Sequence, residues 1–318
     1  MNAAPAGPAA PDSVPGQLTT DDPSGLSVEL ADAGPPPVHG SDRPRFSVVV
    51  PAYNEAELLP ACLDSLARQD VTGGVEVIVV DNASTDATAA IAHARGAIVV
   101  REDRAGVCFA RQAGTSAARG EIVVSTDADT TFDDQWLSRI DAVFTTDATV
   151  VAVAGPCQFV NAPLWGRWYC ALLFGAVHLI SRVAGRVVYV TATNIAFRRS
   201  AWSGYDTAAT QGGDELGLLR QLRTRGNVAF DRRNPTFTSA RRMYQGLLYN
   251  LFVTCFFYYL FGYGLNRLTG RRIVPTAPHF RDARPPLTFR QRLATPAVAT
   301  MCLTVFFTAG LLAHLVGA

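Results

Sequence analysis

Two carboxylates separated by one small residue, Asp127 and Asp129, close the stretch Glu121 to Thr130, which reads EIVVSTDADT. Three β-favouring apolar residues precede them, and side chains alternate faces along a strand, so both acids project the same way where the strand runs out into a loop. Paired hard oxygens at a strand end suit a divalent cation such as Mg or Mn, and a cation held there most often holds a diphosphate. A plain acidic turn ending a strand has the same composition. The meaning of the pair therefore depends on what else shares its edge of the fold.

Two more polar clusters follow apolar runs in the same way. Phe46 to Val50 leads into Pro51-Ala52-Tyr53-Asn54-Glu55, and Glu76 to Val80 leads into Asp81-Asn82-Ala83-Ser84-Thr85-Asp86. Helical spacing over Glu57 to Gln69 (Leu58, Leu59, Cys62, Leu63, Leu66), over Ala87 to Arg95 and over the small-residue segment Gly106 to Ala118 alternates with these strands and with Ala97 to Val100, Glu121 to Ser125 and Val150 to Ala154. That alternation, with near-continuous apolar strands, predicts an α/β fold: a mostly parallel central sheet flanked by helices on both faces. Ligands of such sheets sit beyond the carboxyl ends of the strands, where all three clusters fall. No Gly-x-Gly-x-x-Gly follows the first strand, which argues against a dinucleotide-binding fold.

Composition narrows the chemistry. The 318 residues carry a formal net charge of +1, which disfavours a nucleic-acid binder held by a general basic field. Every basic side chain except histidine is Arg; with no Lys, Schiff-base and Lys-nucleophile mechanisms are excluded. Six scattered cysteines, with no Cys-x-x-Cys pair, read as buried fillers in a reducing compartment. The mean hydropathy of +0.14 is high for a soluble enzyme and points to membrane-embedded sequence.

The residues Ser47 to Glu55, Val77 to Asp86 and the Asp127-Ala128-Asp129 triplet, in that order and spacing, resemble the family 2 glycosyltransferases of the GT-A fold, over about Phe46 to Gly226. The resemblance implies that Pro51, Tyr53, Glu55 and Asp81 contact the nucleobase and ribose of a nucleotide-diphosphate sugar. It implies that Asp127 faces the ribose and sugar, that Asp129 ligates the cation bridging the diphosphate, and that Arg111 lies near the nucleotide. The family's usual Asp-Asp after the second strand is Asp81-Asn82 here. Thr191 to Arg199 resembles the family segment beneath the donor sugar and acceptor, where Asn194 either hydrogen-bonds a sugar hydroxyl or simply turns the chain between strands. In Gln211-Gly212-Gly213-Asp214-Glu215 the family places its general base in an acidic pair. The pair is reversed here, which favours Asp214 over Glu215, although Asp214 also suits a helix N-cap.

One base and one metal on opposite sides of the anomeric carbon describe a single displacement that inverts configuration, and nothing nominates the nucleophile of a retaining mechanism. The expected activity is transfer of a single sugar to a lipid-linked or membrane-associated acceptor; the Gln-x-x-Arg-Trp motif of processive synthases is absent. A sugar nucleotidyltransferase is the first alternative, disfavoured because it normally opens with a Gly-rich loop. A non-catalytic sugar-nucleotide-binding membrane protein is the second.

Around the catalytic segment, residues 1–44 are rich in Pro, Ala, Gly, Ser and Asp and read as a disordered tail, and residues 45–240 as the catalytic domain. Residues 241–294 read as a membrane-interface helix, Gly246 to Leu265, and an Arg-rich juxtamembrane segment; a membrane-crossing hairpin is the alternative for that helix. Residues 295–318 carry an uncharged run long enough to cross a bilayer, and the basic flank predicts a catalytic domain on the cytoplasmic side of the cell membrane. Trp165 to Ile180 is a third apolar stretch, read as core in preference to a membrane border. Arg241 and Arg242 are expected either to grip the phosphate of a lipid acceptor or to bind headgroups.

Overall fold

The computed structural model describes residues 43–207 and 214–250, together with 252, 257, 261, 265 and 269. In chain order the elements are β1 (Phe46–Ala52), α1 (Leu59–Ala67), β2 (Val75–Asp81), α2 (Thr88–Ala94), β3 (Ile98–Arg101), α3 (Val107–Ala117), β4 (Ile122–Ser125), β5 (Thr130–Thr131), α4 (Trp136–Thr146), β6 (Val150–Ala154), β7 (Cys157–Val160), α5 (Leu164–Ala184), β8 (Ile195–Arg198), α6 (Asp214–Arg223), β9 (Asn227–Phe230) and β10 (Thr236–Ser239). Seven strands form the central sheet in the order β3-β2-β1-β4-β8-β6-β9. Only β8 runs against its neighbours, so the sheet is mostly parallel, as its continuous apolar strands imply.

Both faces are covered. On one, Leu59, Cys62 and Leu63 of α1, Ala92 of α2 and Trp136, Leu137 and Ile140 of α4 pack on the strands. On the other, Ala110 and Ala113 of α3, Val177 of α5 and Leu218, Leu219 and Leu222 of α6 do so. The small residues of α3 let its backbone lie directly on β1 and β2: a Cβ at Gly114 would stand 2.4 Å from Val49 Cγ1 and 2.7 Å from Val80 Cγ2.

A second sheet, β5-β10-β7, was not foreseen. Its strands are too short to show a period, and it is made by distant pairings, Phe237 opposite Thr131 and Thr238 opposite both Thr130 and Phe159. The turn Arg241–Gln245 folds back with Ala240 and Met243 against Ala162 and Trp165, so the contacts of the folded unit continue beyond residue 240.

The apolar stretch at Trp165 to Ile180 is the helix α5, and core packing accounts for only one side of it. Gly166, Cys170, Phe174 and Val177 are buried, but Trp168, Leu172 and Leu179 point outward. The sheet edge offers one surface, and the helix carries apolar residues on both its buried and its exposed sides.

Residues 1–42 of the expected tail, most of the 246–265 stretch, the Arg-rich segment and residues 295–318 lie outside the described residues. Among the described residues no helix is long and apolar enough to cross a membrane.

Candidate functional site

The loops after β1 and β2 are tied into one rim. Asn54 N donates to Ser84 Oγ at 2.9 Å and Thr85 N to Asn54 Oδ1 at 2.7 Å. Glu55 N donates to Thr88 Oγ1 at 2.8 Å and Ala56 N to Asp86 Oδ2 at 3.1 Å. Asn54 holds φ at 52°, a left-handed conformation that Asn tolerates better than most residues. Burial would raise the Asp86 carboxyl, but bonds from Thr88 and from backbone amides outweigh it and hold it below the usual carboxylate range. Asp81 is buried at the end of β2, where its Oδ1 accepts from Ser84 N at 3.2 Å. Pro51 and Tyr53 stand at the end of β1, and the Tyr53 side chain is exposed.

Asn82, which stands where the resembling family has a second Asp, has a structural reason to be an amide. Its Nδ2 donates to the carbonyls of Glu102 at 2.8 Å and Arg104 at 2.7 Å, while its Oδ1 accepts from Gly106 N at 2.9 Å. A carboxylate has no hydrogen to give those two carbonyls. Asn82 thereby fixes the loop that launches α3 and aims Arg111.

The acidic pair follows β4. Asp127 Oδ1 accepts from the buried guanidinium of Arg111 at 2.9 Å. Asp129 is held on three sides: its carbonyl accepts from Ser239 N at 3.1 Å, its Oδ1 from Thr238 Oγ1 at 3.1 Å, and its Oδ2 from Arg241 NH2 at 2.8 Å. The same Arg241 nitrogen lies 2.8 Å from Glu55 Oε1. Carboxylates from the ends of β1 and β4 thus converge on one positive point. Burial alone would lower the Arg241 pKa, but its hydrogen bonds to Glu55 and Asp129 and their charges raise it. Beneath the pair, burial and the charges of Asp129 and Asp127 push the Cys62 thiol far above its ordinary range. It stays a neutral filler, and the other described cysteines, Cys108, Cys157 and Cys170, are buried and form no disulfide.

The second sheet is what closes this site, because β10 brings Thr238 and Ser239 to Asp129 and delivers Arg241. Sequence reasoning singled out Arg241 but sent it to a lipid phosphate; the fold turns it inward, and leaves Arg242 exposed. The role of Thr238 was missed, since its partner is more than a hundred positions away.

Asn194 is scaffold. Its Nδ2 donates to the carbonyls of Pro156 at 2.9 Å and Asn234 at 2.8 Å, and its Oδ1 accepts from Trp136 Nε1 at 3.1 Å. A Cβ at Gly155 would approach the Asn194 Nδ2 to 2.4 Å, so this knot requires glycine there. Both Nδ2 hydrogens of this buried side chain are thus given to the chain's own carbonyls. Asp214 opens α6 as the sequence implies, but its side chain and residues 208–213 lie outside the described residues; Glu215 is half-buried.

Among the described residues no group of three or more His, Cys, Asp or Glu side chains is arranged as a metal cage. Glu55 and Asp129 nonetheless supply hard oxygens already gathered around a cationic centre. That donor set fits Mg or Mn with diphosphate and water completing the shell. Asp127, also expected as a ligand, is engaged by Arg111.

The sequence profile of glycosyl transferase family 2 matches residues 47–204. Glycosyltransferase AglE of Haloferax volcanii is 34% identical over 122 residues, 36% of this chain and 40% of that protein. A PGL/p-HBAD biosynthesis glycosyltransferase of Mycobacterium tuberculosis is 37% identical over 106 residues, 31% of this chain and 41% of that protein. The chain thus spans about two fifths of the length of these curated relatives. Among solved structures, the mannosyltransferase PcManGT of Pyrobaculum calidifontis, in complex with GDP-Man and Mn2+, has TM-score 0.51 at 24% identity, covering 89% of this chain and 83% of that one. S. aureus TarS 1-349 in complex with UDP has TM-score 0.51 at 20% identity, covering 63% and 62%. With the profile match on one side and these shared folds on the other, residues 47–204 resemble a glycosyl transferase family 2 domain, and the fold is GT-A-like α/β.

Proposed function

We propose that this chain is an inverting, metal-dependent glycosyltransferase that moves a single sugar from a nucleotide-diphosphate sugar to a lipid-linked or membrane-associated acceptor. The observation that carries the reading is the convergence of Glu55 and Asp129 on one cationic nitrogen at the carboxyl rim of the sheet. The rim between Pro51, Tyr53 and Asp81 takes the nucleoside, and Arg111 holds Asp127 toward the ribose and sugar. A divalent cation held by Asp129, with Glu55 beside it, supplies Lewis-acid neutralisation of the diphosphate. Glu55 and Asp129 are the acceptors that Arg241 now satisfies, so donor loading frees this guanidinium to face the diphosphate oxygens, which its fork of donors matches. Asp214 removes the acceptor hydroxyl proton, with Glu215 as its neighbour.

The metal and nucleotide parts are supported by the GT-A-like neighbours, one bearing GDP-Man and Mn2+ and another UDP. The membrane part rests on the uncharged run at 295–316 and the basic flank before it, which favour a catalytic domain on the cytoplasmic face. The experiment is incubation of membranes containing the protein with a panel of labelled nucleotide sugars. Sugar appearing in the lipid fraction supports transfer; labelled sugar 1-phosphate formed only when pyrophosphate is added would indicate a nucleotidyltransferase, and neither product a binding protein.

A further inference from the structure

The outer side of α5 is a continuous apolar stripe. Leu164, Trp168, Leu172, Leu179 and Val183 are 74%, 67%, 69%, 63% and 80% exposed, and they recur at helical spacing along a 21-residue helix. The opposite side is already buried against β7, with Cys170 and Phe174 on Cys157. A helix with apolar residues on two sides needs two covers, and the sheet edge supplies only one. Beyond its first turn the apolar surface continues over Tyr244, Leu247 and Leu248, exposed after the turn that packs on Trp165.

Charge identifies the occupant. Between Ala148 and Tyr205 there is no Asp or Glu, and Arg167, Arg182 and Arg186 fall on α5 or just after it, all exposed. At that end Arg223 has buried Nε and NH2 atoms with no hydrogen-bond partner among the described residues, and the charge of Arg186 adds to burial in lowering its pKa. An apolar stripe bearing Trp and Tyr, on a helix whose charged residues Arg167 and Arg182 are both cationic, has the chemistry of a helix lying in the interface of an anionic bilayer.

We infer that the outward face of α5 seats the folded domain on an anionic lipid surface, its stripe among the acyl chains and its arginines at the headgroups. The location is productive: α5 rests on β7, β7 pairs with β10, and β10 holds Asp129 through Thr238. The inference rests on the membrane-acceptor reading and names which surface serves it.

The test places p-benzoylphenylalanine at Leu172, or at His93 on α2 as a control, in the full chain reconstituted in vesicles of anionic or neutral phospholipid. After irradiation, Leu172 should give on the order of tenfold more lipid adduct than His93, and more in anionic than in neutral vesicles. Equal labelling at the two positions, or protein–protein adducts at Leu172, would overturn the inference, and equal yields in the two vesicle types would overturn the anionic assignment. No donor or acceptor enters this assay. Adducts can therefore appear when sugar transfer fails, and transfer can stand when adducts do not.

Discussion

At the amino edge of the central sheet, the buried carboxylate of Glu76 accepts from Ser47 Oγ at 2.5 Å, from Arg119 N at 2.6 Å and from Arg119 Nε at 2.9 Å. At the carboxyl edge, Glu55 and Asp129 share a single nitrogen of Arg241. The amino edge also has a cleft of about 580 Å³ lined by Arg43, Arg45, Arg119, Arg199 and Glu121. Yet Arg45 is paired with Glu121 and Asp141, Arg119 with Glu76, and Arg199 with the Gly120 carbonyl. Buried charge alone therefore does not mark a site. The Glu76 knot is closed by backbone amides that no ligand can replace, whereas Glu55 and Asp129 are bridged by one long side chain from a distant turn, a contact the proposed cation would replace.

This contrast can be broken by paired substitutions. Asp129→Asn should lower sugar transfer by about 10³-fold or more, since Lewis-acid neutralisation is worth several kcal/mol. Glu76→Gln should leave turnover within about twofold while lowering Tm, because it strips a charge from a buried knot. Similar losses of activity from both would contradict the distinction. Asp214→Asn should cost about 10²–10⁴-fold in turnover and spare donor affinity. Donor affinity falling as far as turnover would refute that division of labour. Arg241→Gln should sharpen the picture in the opposite direction: Mn2+ bound without donor, read by electron paramagnetic resonance, should tighten by on the order of tenfold as its cationic competitor is removed. Unchanged Mn2+ affinity would mean that Arg241 and the metal do not share a place.

Asn194→Ala should cost about 1–3 kcal/mol of stability by orphaning the carbonyls of Pro156 and Asn234, with donor Kd unchanged. A selective loss of donor affinity would restore a sugar-contacting role. The smallest effect is that of pH. Burial raises the Glu102 carboxyl but its bonds from Arg104 outweigh this, so its folded pKa lies below the unfolded one. Its contribution is full above the unfolded value of about 4.3 and is lost as pH falls through the folded pKa. Wild type and Glu102→Gln should thus differ in Tm at neutral pH and converge in acid.

The strands β1 to β4, β6 and the acidic clusters after them were legible because a buried parallel strand and its polar carboxyl end are both local patterns. The three-stranded sheet was not, because Thr238 and Arg241 act only through pairing with β5 and β7. Asn194 was legible as a position but not as a role: its carbonyl partners Pro156 and Asn234 are set by folding. For α5, periodicity could not tell a helix buried on two sides from one buried on a single side, since apolar residues fall on both its covered and its exposed faces.

The most direct measurement is thermal stabilisation of the full chain by a panel of nucleotide-diphosphate sugars, with and without Mn2+, in wild type and Asp129→Asn. The account predicts a donor that raises the wild-type Tm only when Mn2+ is present, and no such rise in Asp129→Asn. Equal stabilisation without metal, or in both proteins, would contradict it.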